Sequence, residues 1–483
     1  MTSLDRQTQP VSSGHSPSTR VLTCPDVCAR FITTTPDGHT HGISTVVSNV
    51  VLITPFKALL LSVGKPILIG RNPNICSYVI PDIVVSSLHC KIYAIQSSTG
   101  GILISCQDLS TNGVIINDHK IRKTSAVIMH GDTIKIPASQ TFQCVQKWRY
   151  LPNKHSSKFD NSQPQSTKNV GRYLITSHCL GTGSYATVHL ALDTSAHRQV
   201  ACKIIRRKEG SDLKKELKEA TLLMALHHPS INRVYAVDAD SEFLYIMLQL
   251  STGGDLFTYI TTHARHRLCE GEAKYITFQL LKGLKYLHDR MISHRGPENI
   301  LLHSPGPYPR IQIADFGLAR PKAYQETLHV CGTISYLPPE GVRALDCREL
   351  GYVGMPADCW STGIVIFAML TGSHPFDFED PLDSDEGLSL GKEVASQGPG
   401  IGWSQGSYIR DERTKQRILD GNIIFCEVIW SPLKDAKNLV CQLLVPDPQK
   451  RATVYEASRS RWICSDLEDL ERAYRERIYT MPS

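Results

Sequence analysis

Residues 294–302 read His-Arg-Gly-Pro-Glu-Asn-Ile-Leu-Leu. This loop gathers an imidazole, a guanidinium, a carboxylate and a carboxamide, then runs into apolar residues. Gly296, in its midst, has no side chain to accept a proton or orient a hydroxyl. Asn299 offers an oxygen donor of the kind hard cations prefer. Outward from the loop, further short motifs fall in a fixed order. Upstream lie Leu180-Gly-Thr-Gly-Ser-Tyr-Ala-Thr-Val188 and, about twenty residues later, Val200-Ala-Cys-Lys203. Downstream lie Ala314-Asp-Phe-Gly-Leu318, Pro338-Pro-Glu340, Asp358-Cys-Trp-Ser-Thr-Gly363 and Asp447-Pro-Gln-Lys-Arg451.

The chain length of 483 residues allows two to four domains. A hydrophobic content of 41% with 20% charged residues is that of an ordinary globular protein. The net charge of +6 is spread along the chain rather than gathered in a block; it permits an anionic partner and does not argue for nucleic acid, so no direct nucleic-acid binding is expected. The 15 cysteines are scattered, and Cys24 and Cys28 have no second pair at zinc-ribbon distance, so reduced thiols are expected. The polar N-terminus has no apolar signal-peptide core. The apolar stretch 46–63 is interrupted by Pro55 and Lys57, and 360–370 is too short to cross a bilayer. No membrane association is expected, and the location is a nuclear or cytoplasmic one.

Composition then divides the chain. Residues 1–39 read as a disordered tail, its start rich in Ser, Thr, Gln and Pro. From 40 to 147, short β-branched runs broken by turn residues predict an all-β sandwich. Residues 148–170 read as a polar linker. From 171 to 463, strands come first and helices later, the pattern of a two-lobed α+β unit with its small lobe at 171–250 and its large lobe at 251–463. An acidic, Gly-containing insertion occupies about 380–408, and 464–483 form a helical C-terminal tail.

In order and spacing, the motifs of 171–463 resemble a protein kinase. The resemblance implies ATP and Mg²⁺. Leu180, Gly181, Gly183, Ala186 and Val188 would form the glycine-rich loop, with Ala186 in the place of the third glycine. Lys203, after Ala201, would hold the α- and β-phosphates and pair with Glu219, while Gln249 and Leu250 would form the hinge. Asn299 and Asp315 would be the metal ligands. Glu340 would pair with Arg451, and Asp358 would bond the loop backbone. Any one of these residues alone is ordinarily a surface charge; the constellation carries the reading.

The opening loop departs from that family, whose pattern is H-R-D-L-K-P-E-N: His294 and Arg295 match, and Gly296 stands for Asp-Leu-Lys. The absent Asp is the group that accepts the proton of the attacking hydroxyl. Two expectations follow. One is an active Ser/Thr kinase; the other is a pseudokinase scaffold that binds partners without phosphate transfer.

Gly253-Gly-Asp-Leu-Phe257 resembles the calmodulin-dependent and checkpoint group, in which Asp255 and Glu298 would receive Arg of a basic-directed substrate. Thr327 and Thr333 lie where that group places a regulatory and a structural threonine.

In the β-rich half, Gly70-Arg71-Asn72, Ser86-Ser87-Leu-His89 and Asp108-Leu-Ser-Thr111-Asn112-Gly113 resemble the forkhead-associated (FHA) signature. Arg71 would bind phosphate with its fork of donors, Ser86 would add a hydroxyl, and Ser87, Thr111 and Asn112 would hold the peptide. Ser87 replaces the Asn of many members, and His89 is read as a packing residue. An FHA domain ahead of such a kinase implies the checkpoint effector and meiotic kinases. That resemblance implies DNA-damage or meiotic checkpoint signalling, a phosphothreonine-bearing partner, protein Ser/Thr substrates and self-association through FHA.

Overall fold

A computed structural model describes residues 27–34, 58–97, 101–146, 167–182, 186–207, 217, 223–294, 299–315, 320–321, 336–346, 353–376 and 408–479. The β-rich half is a sandwich of two sheets. One runs, in spatial order, Ala58–Ser62, Val27–Thr34, Thr141–Gln146, Thr133–Lys135, Val114–Ile116 and His119–Ile121. The other runs Tyr78–Val79, Ile67–Gly70, Cys90–Gln96, Ile102–Asp108 and Ser125–Val127. Alternation explains the core: Cys90, Ile92 and Ala94 are buried, while Lys91, Tyr93 and Ile95 between them are not. Leu61, Ile116, Ile134 and Phe142 from the first sheet meet Ile67, Ile69, Ile92 and Ile104 from the second in one cluster.

Two boundaries move from those expected. Val27–Thr34, inside the segment read as a tail, pairs antiparallel with both Ala58–Ser62 and Thr141–Gln146. Lys168–Val170, read as the end of the linker, pairs with Tyr173–Thr182 and forms the edge of the next sheet. Val27–Thr34 is isolated in sequence from the periodic stretches, and Lys168–Val170 is a short polar run just ahead of one. Pairing with chain far away or across a turn, not local pattern, makes them strands.

The small lobe is a six-stranded antiparallel sheet in the order Lys168–Val170, Tyr173–Thr182, Ala186–Asp193, Arg198–Arg206, Phe243–Gln249, Val234–Ala239. The large lobe is organised around Glu270–His288 and Gly354–Thr371. The second helix is apolar on all sides and buried nearly throughout, the mark of a core helix rather than a surface one. It stops at Gly372, whose φ of 78° suits only glycine without strain, and whose Cβ would lie 2.2 Å from the His266 carbonyl oxygen. Among the described residues, no helix is long and apolar enough to cross a membrane.

Candidate functional site

Asp358 anchors the loop from which the reading began. It is fully buried on the helix Gly354–Thr371, and its Oδ2 accepts from the His294 main-chain N–H at 2.9 Å and faces His288 Nε2 at 2.9 Å. The buried His294 donates from Nε2 to the Ala314 carbonyl at 2.8 Å. Ala314 in turn donates its N–H to the Asn299 carbonyl at 2.8 Å. The start of the loop, its end and Ala314 are therefore tied to one buried carboxylate. A buried charge persists only when hydrogen-bonded in this way.

Lys203 and Asp315 form an ion pair across the cleft. Strand register places Lys203 opposite Val188 on one side and Ile246 on the other. Asp315 has a left-handed backbone, φ 65°, which turns the chain sharply after the strand Ile311–Ile313. Pairing of Ile300 with Ile313 brings Asn299 and Asp315 to the same end of a two-stranded hairpin. A carboxylate and a carboxamide at one strand end are a donor set that fits Mg²⁺. Gly181 lies opposite Val188, with nothing within 4 Å of its missing Cβ, so its backbone is open to close approach. Leu180 lies on the strand Tyr173–Thr182 and Ala186 opens the strand Ala186–Asp193, Ala201 is buried two residues before Lys203, and Gln249 ends the strand Phe243–Gln249 with Leu250 directly after it.

The expected ion pair between Glu340 and Arg451 is present and bidentate, at 2.7 and 2.9 Å. Arg451 also donates to the carbonyls of Pro356 and Val445, both at 2.9 Å. Asp255 has a role the sequence reading missed: it caps the helix Leu256–Thr262, accepting from Thr258 N–H and Thr258 Oγ at 2.8 Å each. The signal was legible, since Asp before an apolar helical run is an N-cap pattern. Gly183, Glu219, Arg295, Gly296, Glu298, Thr327 and Thr333 lie outside the described residues.

In the sandwich, three loops converge. Arg71 N–H donates to the Ser86 carbonyl at 2.9 Å, and Arg71 Nε to the Val85 carbonyl at 3.2 Å. Ser86 Oγ accepts from Thr111 N–H at 3.2 Å, and Asn112 Nδ2 donates to the Val84 carbonyl at 2.9 Å. Arg71, Ser87, Thr111 and Asn112 are exposed on this surface, with Ser86 half-buried. His89 is the packing residue expected: it is buried, its Nδ1 accepts from Ser86 N–H at 3.2 Å, and its Nε2 donates to the Gly113 carbonyl at 3.2 Å. Burial holds its pKa below the usual histidine value. An exposed guanidinium and hydroxyl groups on rigidly pinned loops suit a small anionic group such as phosphate.

Comparison with known proteins gives a match to the protein kinase domain over residues 174–463 and to the FHA domain over residues 67–137. The probable serine/threonine-protein kinase fhkC of Dictyostelium discoideum is 29% identical over 84% of this chain, which spans 63% of that protein's length. The meiosis-specific serine/threonine-protein kinase mek1 of Schizosaccharomyces pombe is 28% identical over 88% of this chain and 87% of its own. A crystal structure of Rad53 1-466 in complex with AMP-PNP has a TM-score of 0.46 and 24% identity, covering 90% of this chain and 100% of that one.

Proposed function

The chain belongs to the protein kinase family and carries an FHA domain ahead of its kinase domain; from that premise we propose that it is a Ser/Thr protein kinase recruited to phosphothreonine-bearing partners. The substrate is a protein Ser or Thr in a basic-directed site, and the setting is DNA-damage or meiotic checkpoint signalling in the nucleus. The observation that carries the reading is the retained framework: Lys203 paired with Asp315, and His294, Ala314 and Asn299 tied to Asp358.

In this reading Lys203 binds the α- and β-phosphates of ATP in place of its present partner Asp315, and the glycine-rich segment that includes Gly181 covers them. Asp315 and Asn299 hold Mg²⁺, which neutralises charge on the phosphates. Arg71 and Ser86 take the phosphate of the partner's phosphothreonine, with Ser87, Thr111 and Asn112 holding its backbone. Thr327 is a phosphorylation site of the activation segment, its phosphate paired by Arg295, and Thr333 is structural near the substrate. Asp255 and Glu298 are the acceptors for substrate Arg; the capping bonds of Asp255 make Glu298 the principal one.

A second reading, a phospho-dependent scaffold, is favoured by Gly296 alone. Without a positioned base, transfer slows by about 10²–10⁴-fold. Two measurements decide. Phosphate transfer to an Arg-containing Ser/Thr peptide supports the kinase; none, with phosphothreonine-peptide binding abolished by Arg71→Ala, supports the scaffold. Mass mapping of the protein from its source tests the loop: trypsin yields the peptide 296–310 if Gly296 is genuine, and a longer one if Asp-Leu-Lys is present.

A further inference from the structure

The strand Ile311–Ile313 sends Ile311 and Ile313 into the large-lobe core. By the two-residue period of a strand, Gln312 between them points to the opposite face. That face meets the hinge. Gln312 is 0% exposed, and both ends of its carboxamide are engaged. Its Nε2 donates to Gln249 Oε1 at 2.5 Å, and its Oε1 accepts from Ser251 Oγ at 2.7 Å. A buried carboxamide is tolerated only when so satisfied. The amide thus clamps two hinge residues on either side of Leu250.

Other bonds hold the rest of the crossing. Gln249 N–H donates to the Arg233 carbonyl at 2.8 Å, and Asn232 Nδ2 to the Gln249 carbonyl at 3.1 Å. Thr252 N–H donates to the His303 carbonyl at 3.1 Å, and Gly253 N–H to the Leu302 carbonyl at 2.9 Å. Gln312 closes the stretch between these two sets. Three residues after it, Asp315 pairs with Lys203. One short segment therefore ties down the hinge end and the phosphate end of the same cleft.

We propose that Gln312 is a positioning residue for the nucleotide. Its side chain fixes the hinge main chain that an adenine ring would address, without touching the ligand. Hydrogen bonds weaken steeply with misalignment, so an unclamped hinge binds a purine edge less tightly. This inference rests on the nucleotide-binding reading above.

The test uses the full chain, a non-hydrolysable ATP analogue with Mg²⁺, and calorimetry. Gln312→Leu removes both bonds at similar volume. The expected result is about tenfold weaker analogue binding with unchanged phosphothreonine-peptide affinity. Adding Ser251→Ala to Gln312→Leu should cost nothing further, because both act through one clamp. Gln312→Glu keeps the acceptor for Ser251 and lets the Gln249 amide turn to donate, so its affinity should stay within about threefold of the parent. Unchanged affinity in Gln312→Leu, or an equal loss in Gln312→Glu, overturns the proposal. If the parent chain binds no analogue, the nucleotide reading fails instead. Amide exchange at residues 251–253 without nucleotide then decides the clamp, and no acceleration in Gln312→Leu overturns it.

Discussion

The side-chain amide of Gln199 pairs with both main-chain groups of Val127. Val127 N–H donates to Gln199 Oε1 at 2.8 Å, and Gln199 Nε2 donates to the Val127 carbonyl at 2.9 Å. Val127 lies on the edge strand of an FHA sheet and Gln199 on a strand of the kinase small lobe. One side chain thus imitates a neighbouring strand and closes an exposed edge. On another strand of the same sheet, Ile95 Cγ2 lies 2.8 Å from where a Cβ on Gly254 would stand. The FHA domain touches the kinase domain at the small lobe and just after the hinge.

Gln199→Ala should release this contact. Amide exchange at Val127 should accelerate, and scattering should report a larger radius of gyration, with phosphothreonine-peptide affinity unchanged. The peptide loops are pinned by Arg71, Ser86 and Asn112 and do not use Gln199. An unaltered Val127 exchange rate would refute the docking role.

Gly70 has no room for a side chain. A Cβ there would lie 2.4 Å from the Ser87 carbonyl oxygen and 2.9 Å from the His89 nitrogen, both main-chain atoms. Gly70→Ala should therefore destabilise the FHA domain by roughly 1–3 kcal/mol and weaken phosphothreonine-peptide binding. The kinase-domain melting transition should not move. Titration calorimetry and differential scanning calorimetry read the two effects separately.

Glu340→Ala should lower large-lobe stability by about 3–5 kcal/mol. It strands the Arg451 guanidinium, whose side chain is 0% exposed. Denaturant titration checks the size. Arg451→Lys should also be costly, since an ammonium cannot reproduce the two-pronged contact.

Acid should loosen the kinase domain before the usual carboxylate range. Burial, then the charges of Lys282, Arg310 and Arg290, lower the His228 pKa to about 4. Burial and Arg310 lower His303 to about 4 as well. Ser230 N–H donating to His228 Nδ1 at 3.1 Å requires that nitrogen unprotonated. Between pH 6.5 and 4 the unfolded chain binds protons that the folded chain does not. Stability is complete above 6.5 and declines as pH falls, by on the order of 1–2 kcal/mol per histidine at pH 5. His228→Asn, which keeps an acceptor for Ser230, should flatten the pH dependence of the melting temperature. An equally steep profile in that variant would argue against the assignment.

Replacing Gly296 with Asp-Leu-Lys should raise phosphate transfer by about 10²–10⁴-fold if the framework is otherwise competent. Nucleotide affinity should change much less, because Lys203 and Asp315 are untouched. No gain would place the defect elsewhere in the cleft. Radiolabel transfer to an Arg-containing peptide provides the readout.

The kinase and FHA motifs were legible because their chemistry needs particular side chains at short spacing. Arg71, Lys203, Asp315 and the pair Glu340–Arg451 could be named from the resemblance of their motifs to those of the two families. The interior alternation of Cys90, Ile92 and Ala94 was likewise written in a two-residue period. What could not be read was any pairing between distant residues that no motif announces. Val27–Thr34 became a strand only by pairing with Ala58–Ser62 and Thr141–Gln146. Asp255 was legible as a cap but was overshadowed by its motif.

By itself, the sequence determined the two-domain architecture, the family and the vacancy at Gly296, since these depend on local order and residue identity. Tertiary structure alone decided that Gln312 grips the hinge, that Gln199 holds the edge of the FHA sheet, and that His288 joins the loop backbone on Asp358. The physical reason is common to all three. A polar side chain carries the same donors and acceptors wherever it stands, and only folding chooses which distant group will satisfy them once water is excluded.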